Sequence, residues 1–177
     1  PTRKEASAAS DVYKRQSHRH KVWTHLFSVA VLAVVLVMLA TGTGGQGEAF
    51  HGMFVRDTAA DVMKTVIVLV SGLSLVYGWS YLRERNLYQG EIPVLVLFAT
   101  AGMMLLTSAG SLLMVYLGLE LLALCSYALV ASNRDNGLAT EAAMKYFVLG
   151  SLASGLLLYG MSLVYGATGT LSLAGIH

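Results

Sequence analysis

Long apolar stretches separated by short polar segments dominate the pattern of hydrophobic and polar positions along the chain. These stretches lack the alternation of apolar and polar residues that marks a half-buried strand, and lipid admits only helices and closed barrels. One helix of about 20 apolar residues crosses a hydrocarbon core of about 30 Å. The pattern therefore predicts five transmembrane helices, at about residues 22–40, 59–82, 92–107, 111–131 and 142–166.

Two of these helices share one apolar block, residues 92–131, whose only charged residue is Glu120. A single helix through the block would be about 60 Å long, twice the thickness of a hydrocarbon core. The block must therefore turn. The cluster Ser108-Ala109-Gly110-Ser111 is the group of small, turn-tolerant residues near its middle, so we predict that one helix ends and the next begins there.

The composition agrees with a membrane protein. Of the 177 residues, 55% are apolar and 12% are charged, whereas a soluble domain has about 25% charged residues. A net charge of +2 is too small and too scattered for a nucleic-acid surface. The single cysteine, Cys125, cannot form an intrachain disulfide. The predicted fold class is an all-α membrane protein, a bundle of about five transmembrane helices.

Basic residues are distributed unevenly between the two alternating sets of connections. The flanks 1–21, 83–91 and 132–145 contain ten lysines and arginines, whereas the other flanks contain two, Arg56 and Lys64. Cytoplasmic flanks of membrane helices carry the excess of basic residues. The sequence therefore predicts that the first set lies in the cytoplasm, and that the chain starts inside and, after five crossings, ends outside.

The polar, basic segment 1–21 stands apart from the rest of the chain. Residues 1–16, PTRKEASAASDVYKRQ, resemble the read-through of a sequencing adapter. We interpret them as a sequencing artefact and leave them out of the fold prediction. The alternative is a genuine disordered basic arm. The predicted partial transmembrane domain is then 22–177.

Glu120 is the main candidate for a functional residue because it lies about ten residues into the fourth predicted helix, near the bilayer midplane. A charged group there costs on the order of 2.5–3.5 kcal/mol, which makes a function the default hypothesis. Offsets of four and seven residues place Tyr116 and Tyr127 on the same helix face. A carboxyl group held between desolvation and a nearby cation can take up and release a proton. The alternative is a neutral carboxyl group that only bonds to another helix.

Glu141 and Lys145 are four residues apart at the start of the fifth predicted helix, where they can pair along the helix. Thr140 is the predicted cap, with Glu141 in the first turn. One interpretation is a solvated helix end. In the other, Lys145 lies about one turn inside the membrane and lines a polar path, because a buried lysine readily gives up its proton.

Asp57, Asp61 and Lys64 begin the second predicted helix on the outer side. The simpler interpretation is an interfacial anchor in which Asp61 and Lys64, three residues apart, offset each other's charge. The alternative is a role in ion transport.

No bound cofactor or metal is predicted. The spacing of Gly42, Gly44 and Gly47 in TGTGGQG matches a dinucleotide-binding loop. Such a loop needs a strand before it and a helix directly after it. Here a membrane-length run precedes and further loop follows, so we interpret the segment as a flexible outer loop.

Two segments carry a resemblance to a known family. VYLGLELLALCSYALVA (115–131) and EAAMKYFVLGSLASGLLLYGMSLVYGATGTLSL (141–173) closely resemble the subunit N family of bacterial NADH–quinone oxidoreductase, respiratory complex I. Its relatives are the other antiporter-like subunits of that complex and the subunits of multisubunit sodium/proton antiporters. The resemblance covers about 57–173, so the chain looks like an internal fragment of a larger antiporter-like subunit.

The resemblance implies a proton-translocating, multi-pass subunit of the bacterial inner membrane, in contact with the lipid bilayer and the other membrane subunits of complex I. The chain would carry no redox centre, since NADH and quinone are used elsewhere in the complex. Glu120 matches the mid-membrane glutamate of the family's proton pathway, and Lys145 and Glu141 match polar positions in the same channel. Two alternatives stay open: a subunit of a sodium/proton antiporter, or a structural subunit in which Glu120 only holds helices together.

Overall fold

The computed structural model describes the backbone of residues 3–42, 45–85 and 87–176, and the side chains of these residues from Val22 onward. Within these ranges the chain forms five α-helices, two short strands and one 3₁₀ turn, Leu173–Gly175. The α-helices are α1 Arg3–Ala40, α2 Thr58–Glu84, α3 Glu91–Thr107, α4 Leu112–Val130 and α5 Gly137–Thr168. The predicted all-α bundle is confirmed, as is the turn between α3 and α4, where Ser111 caps α4.

The apolar lengths of the helices fit a bilayer. In the described part of the chain, four helical segments are long and apolar enough to cross a membrane: Val22–Ala40 of α1, and α2, α4 and α5. The 17 residues of α3 are apolar too but rise only about 25 Å. This shorter helix lies inside the bundle, in contact with α1, α2 and α4.

Two helices start several residues earlier than predicted. Helix α1 extends back to Arg3 instead of starting at residue 22, through the segment interpreted as an artefact, and α5 starts at Gly137 instead of residue 142. The side chain of Asn136 caps α5, so Thr140, the predicted cap, lies inside the helix. Hydropathy marks where a helix enters lipid, whereas the helix itself begins where a side chain accepts a bond from its first N–H groups.

A two-stranded antiparallel hairpin joins α1 to α2, in the region interpreted as a flexible loop. Its strands are β1 Gly47–Ala49 and β2 Phe54–Arg56. Three residues per strand are too few to show an alternating pattern, so the sequence did not predict them. Of the glycines in the dinucleotide-like spacing, Gly44 lies outside the described residues.

The connections between successive helices lie at two opposite ends of the bundle. At one end, backbone hydrogen bonds connect the hairpin, the α3–α4 turn and the tail after α5. Gly110 N–H donates to the Met53 carbonyl at 2.7 Å, and Leu173 N–H donates to the Gly110 carbonyl at 3.0 Å. We call this the hairpin end. At the other, the basic end, Arg134 of the α4–α5 connection pairs with Glu91 at 2.6 Å. This alternation agrees with the predicted order of crossings.

Helix packing relies on small residues and one apolar cluster. Leu32, Val68 and Leu75 are buried where α1 and α2 meet. Helices α3 and α4 lie in close contact at Gly102 and Gly118, where a Cβ on Gly102 would lie 2.9 Å from the Gly118 carbonyl oxygen. The outward faces of α2 and α5 are lined with exposed leucine and valine side chains, which suits contact with lipid or with further membrane helices.

An aromatic cluster joins α1, α2 and the connection to α3 at the basic end. The imidazole ring of His25 lies 4.3 Å from the Trp79 ring, which in turn lies 4.5 Å from the Tyr88 ring. Burial raises the pKa of the Tyr88 hydroxyl, and its hydrogen bond with Thr24 opposes the rise.

Candidate functional site

Glu120 lies in the interface between α4 and α5, next to the midpoint of α4. The Ser154 hydroxyl of α5 donates a hydrogen bond to Glu120 Oε2 at 2.8 Å, and both side chains are half-buried. The carboxyl group therefore faces protein instead of the lipid tails, as a proton-carrying group requires. The same bond also fits the alternative in which Glu120 only joins two helices.

Tyr127 lies two turns from Glu120 toward the basic end. Its ring is buried and makes edge contacts with Tyr146 and Phe147 of α5, at centroid distances of 4.9 and 5.7 Å. The phenol group fits over Gly150, where a side chain would overlap its hydroxyl oxygen. A large aromatic ring thus occupies a space that only the glycine leaves open.

Tyr116 lies one turn from Glu120 toward the hairpin end. It lines a groove of about 240 Å³ between α4 and α5, together with Leu158, Met161 and Ser162. The prediction that Tyr116, Glu120 and Tyr127 share one face of α4 is therefore confirmed, because all three side chains face α5.

Lys145 and Glu141 are not brought to Glu120. The predicted pair forms, with Lys145 Nζ 2.6 Å from Glu141 Oε1, and the two side chains are 71% and 59% exposed. Lys145 precedes Ser154 by nine residues, which is two and a half helical turns and about 13 Å along the axis. It therefore lies on the opposite face of α5 from Glu120. Because α5 starts at Gly137, Glu141 is in the second turn and not the first.

The acidic residues at the start of α2 have partners that the sequence did not predict. Asp61 pairs with Arg56, whose Nε lies 3.0 and 3.1 Å from the two carboxylate oxygens. Asp61 thus forms its direct ion pair with Arg56 and not with Lys64, because β2 places Arg56 beside the start of α2; the charge of Asp61 still acts on Lys64, as predicted. Asp57 caps α2 by accepting a bond from Ala60 N–H at 2.7 Å. Lys64 is buried, with its Nζ 4.9 Å from the centre of the Phe54 ring.

Ser154 is the site residue that sequence reasoning missed. A serine in an apolar helix signals a hydrogen bond but not its partner, and Ser151 and Ser162 donate within α5 itself. In the described part of the chain, no three histidine, cysteine or acidic side chains lie together as metal ligands would.

We expect Gly150→Ala to destabilise the full-length protein by about 1–3 kcal/mol, because the new methyl group overlaps the Tyr127 phenol and forces α4 and α5 apart. Thermal unfolding of the purified protein in detergent would measure the loss. Gly155→Ala is the matched control, since no atom lies within 4 Å of its new Cβ. Adding Tyr127→Leu to Gly150→Ala should restore part of the stability. Equal melting temperatures for the two alanine variants would contradict the packing described.

Comparison with known proteins gives consistent matches. Residues 109–177 match the family described as NADH:quinone oxidoreductase/Mrp antiporter, TM. The chain is 95% identical over 161 residues to NADH-quinone oxidoreductase subunit N of Xanthomonas euvesicatoria pv. vesicatoria (strain 85-10), an alignment that covers 91% of this chain and 33% of that relative. It is 52% identical over 164 residues to subunit N of Alkalilimnicola ehrlichii (strain ATCC BAA-1101 / DSM 17681 / MLHE-1), covering 93% and 33%.

A solved structure is similar as well. Respiratory complex I from Thermus thermophilus with bound aureothin contains a chain that superposes with a TM-score of 0.70 at 34% sequence identity, over 86% of this chain and 33% of that one. The chain thus spans about a third of the length of the relatives it matches.

Proposed function

The chain belongs to the subunit N family of bacterial NADH–quinone oxidoreductases, and from this membership we propose that the full-length protein is a proton-translocating membrane subunit of such a complex. It is a multi-pass protein of the bacterial inner membrane. We propose that NADH oxidation and quinone reduction take place on other subunits, which bind the redox cofactors, and that neighbouring membrane subunits pack against this one.

The observation that carries the proposal is the carboxyl group of Glu120, which lies next to the midpoint of the apolar helix α4 and is bonded to Ser154 within the α4–α5 interface. An ionisable group at this depth is costly, and placing it against protein with one hydroxyl donor keeps it available for proton exchange. Tyr116 and Tyr127 lie on either side of it along the same interface. We propose that these three side chains form one segment of the proton path.

Glu141 and Lys145 have a separate place in the proposed path. Direct proton transfer needs donor and acceptor about 2.6–3.2 Å apart, or one bridging water. Lys145 lies about 13 Å from the level of Ser154 along α5 and on its opposite face, so it cannot exchange protons with Glu120 directly. We propose that the exposed Glu141–Lys145 pair exchanges protons at the basic end, which is predicted to be cytoplasmic, and that water or other side chains connect it to Glu120.

The family match also covers the Mrp antiporters, which keeps a sodium/proton antiporter subunit as the second candidate. The two functions differ in what drives the protons. Redox coupling requires NADH and a quinone but no sodium gradient, whereas an antiporter moves protons in response to a sodium gradient alone.

We expect NADH to drive proton movement into inverted membrane vesicles that contain the full-length protein in its complex, with no sodium gradient imposed. The signal should disappear when quinone is omitted, because electron transfer then stops. Quenching of a pH-sensitive dye, recorded together with NADH absorbance, measures both processes. Proton movement that responds to a sodium gradient and ignores NADH would instead support the antiporter.

A further inference from the structure

Lys64 is a buried cation without a direct ion pair among the described residues, and the proposed proton path does not use it. Its side chain is 4% exposed, and none of the described side chains places a carboxylate within ion-pair distance of its Nζ. The nearby acids are engaged elsewhere, since Asp61 pairs with Arg56 and Asp57 caps α2. Removing an ammonium group from water is costly unless an anion compensates it.

Lys64 lines an open groove of about 230 Å³ at the hairpin end. The other lining residues come from α1, β2 and α3, and apart from Arg56 they are apolar: Val35, Met38, Leu39, Phe54 and Met104. Met38 is 52% exposed on the outer side of the described helices, so the groove opens sideways, away from their shared core. The groove thus has an apolar wall and one cationic edge, which matches an amphiphile with an anionic head group.

The depth of Lys64 agrees with this match. It lies six residues after the start of α2, which places it about 9 Å along the helix axis from the hairpin end. The hydrocarbon core is about 30 Å thick and the bilayer with its head groups about 40–45 Å, so each head-group layer is several ångströms thick. A lysine at this level can reach a lipid phosphate while an acyl chain follows the apolar wall.

The charges that line the groove favour an anion. Two basic residues, Lys64 and Arg56, are among its lining residues, and no acidic residue is. Arg56 pairs with Asp61, whereas Lys64 has no such direct partner among the described residues. A phosphodiester carries one negative charge, and lysine binds phosphate groups as a point charge.

We propose that this groove binds an anionic phospholipid, with the phosphodiester against Lys64 Nζ and an acyl chain along Val35, Met38 and Met104. The bound lipid would place an anion in direct contact with Lys64 Nζ, which none of the described carboxylates does.

The test uses the full-length protein in its complex. The complex is reconstituted into vesicles of phosphatidylglycerol or of phosphatidylcholine and then transferred into detergent. Native mass spectrometry counts the lipid molecules that the protein retains. We expect the protein to retain phosphatidylglycerol preferentially, and Lys64→Met to reduce that retention about tenfold, the value of one charge-assisted hydrogen bond. Lys64→Met should still fold, because an apolar side chain of similar length replaces a buried charge. Arg83→Gln removes a cation at the opposite end of α2 and should change nothing.

Three results would overturn the proposal. One is equal retention of the two lipids by the unmodified protein, a measurement that does not depend on any variant. Another is unchanged retention of phosphatidylglycerol in Lys64→Met. The third is displacement of the lipid by inorganic phosphate, which would make the groove a site for free phosphate ions.

Discussion

Replacing Glu120 with glutamine in the full-length subunit is expected to lower NADH-driven proton translocation at least about tenfold, since positioned acid–base groups contribute about 10²–10⁴-fold to proton transfer. The glutamine side chain has the same shape, and its carbonyl oxygen can still accept the Ser154 hydroxyl bond. It cannot take up or release a proton. Proton uptake per NADH oxidised in inverted vesicles separates this loss from any loss of electron transfer.

The control for this experiment is Glu84→Gln, which removes a carboxylate at the basic end of α2, away from the α4–α5 interface. It should leave proton uptake unchanged. Ser154→Ala is a milder variant, because it keeps the Glu120 carboxyl group and removes only its hydroxyl donor. We expect it to decrease proton uptake less than Glu120→Gln does. Full proton uptake by Glu120→Gln would take Glu120 out of the path and favour the structural alternative, in which the residue only joins α4 to α5.

Gly102→Leu is expected to cause the largest loss of stability, well above the 1–3 kcal/mol typical of an overpacked core. A Cβ on Gly102 would lie 2.9 Å from the Gly118 carbonyl oxygen and 3.0 Å from the Leu122 backbone nitrogen. Both neighbours are backbone atoms, so no side chain can rotate away and α3 must separate from α4. Close contact between small residues is a main source of helix association in lipid, where no hydrophobic force draws helices together.

Thermal unfolding of the full-length protein in detergent measures this effect. Gly78→Leu is the matched control, because it places the same side chain in α2 at a glycine with no atom within 4 Å of the new Cβ. We expect Gly102→Leu to unfold at a far lower temperature than Gly78→Leu. Similar unfolding temperatures for the two variants would show that α3 and α4 do not meet at these glycines.

The turn between α3 and α4 and the ion pairs show what a local sequence pattern can and cannot predict. The turn at residues 108–111 was predictable because one block of apolar residues was too long for a single crossing. The pairing of Glu141 with Lys145 was predictable because both residues lie on one helix, four positions apart. For Asp61 the same local rule identified Lys64 but not the direct ion-pair partner Arg56, which reaches it from a hairpin too short to leave a pattern.

The sequence by itself determined the membrane class, the number of helices and the shared face of Tyr116, Glu120 and Tyr127, because hydropathy and helical spacing are properties of a continuous segment. Only the tertiary structure decided that Ser154 meets Glu120, that Gly150 accommodates Tyr127, and that Lys145 lies on the far face of α5. Those contacts depend on the relative rotation and depth of two helices. Side-chain packing between helices sets both quantities, and no periodicity within either segment encodes them.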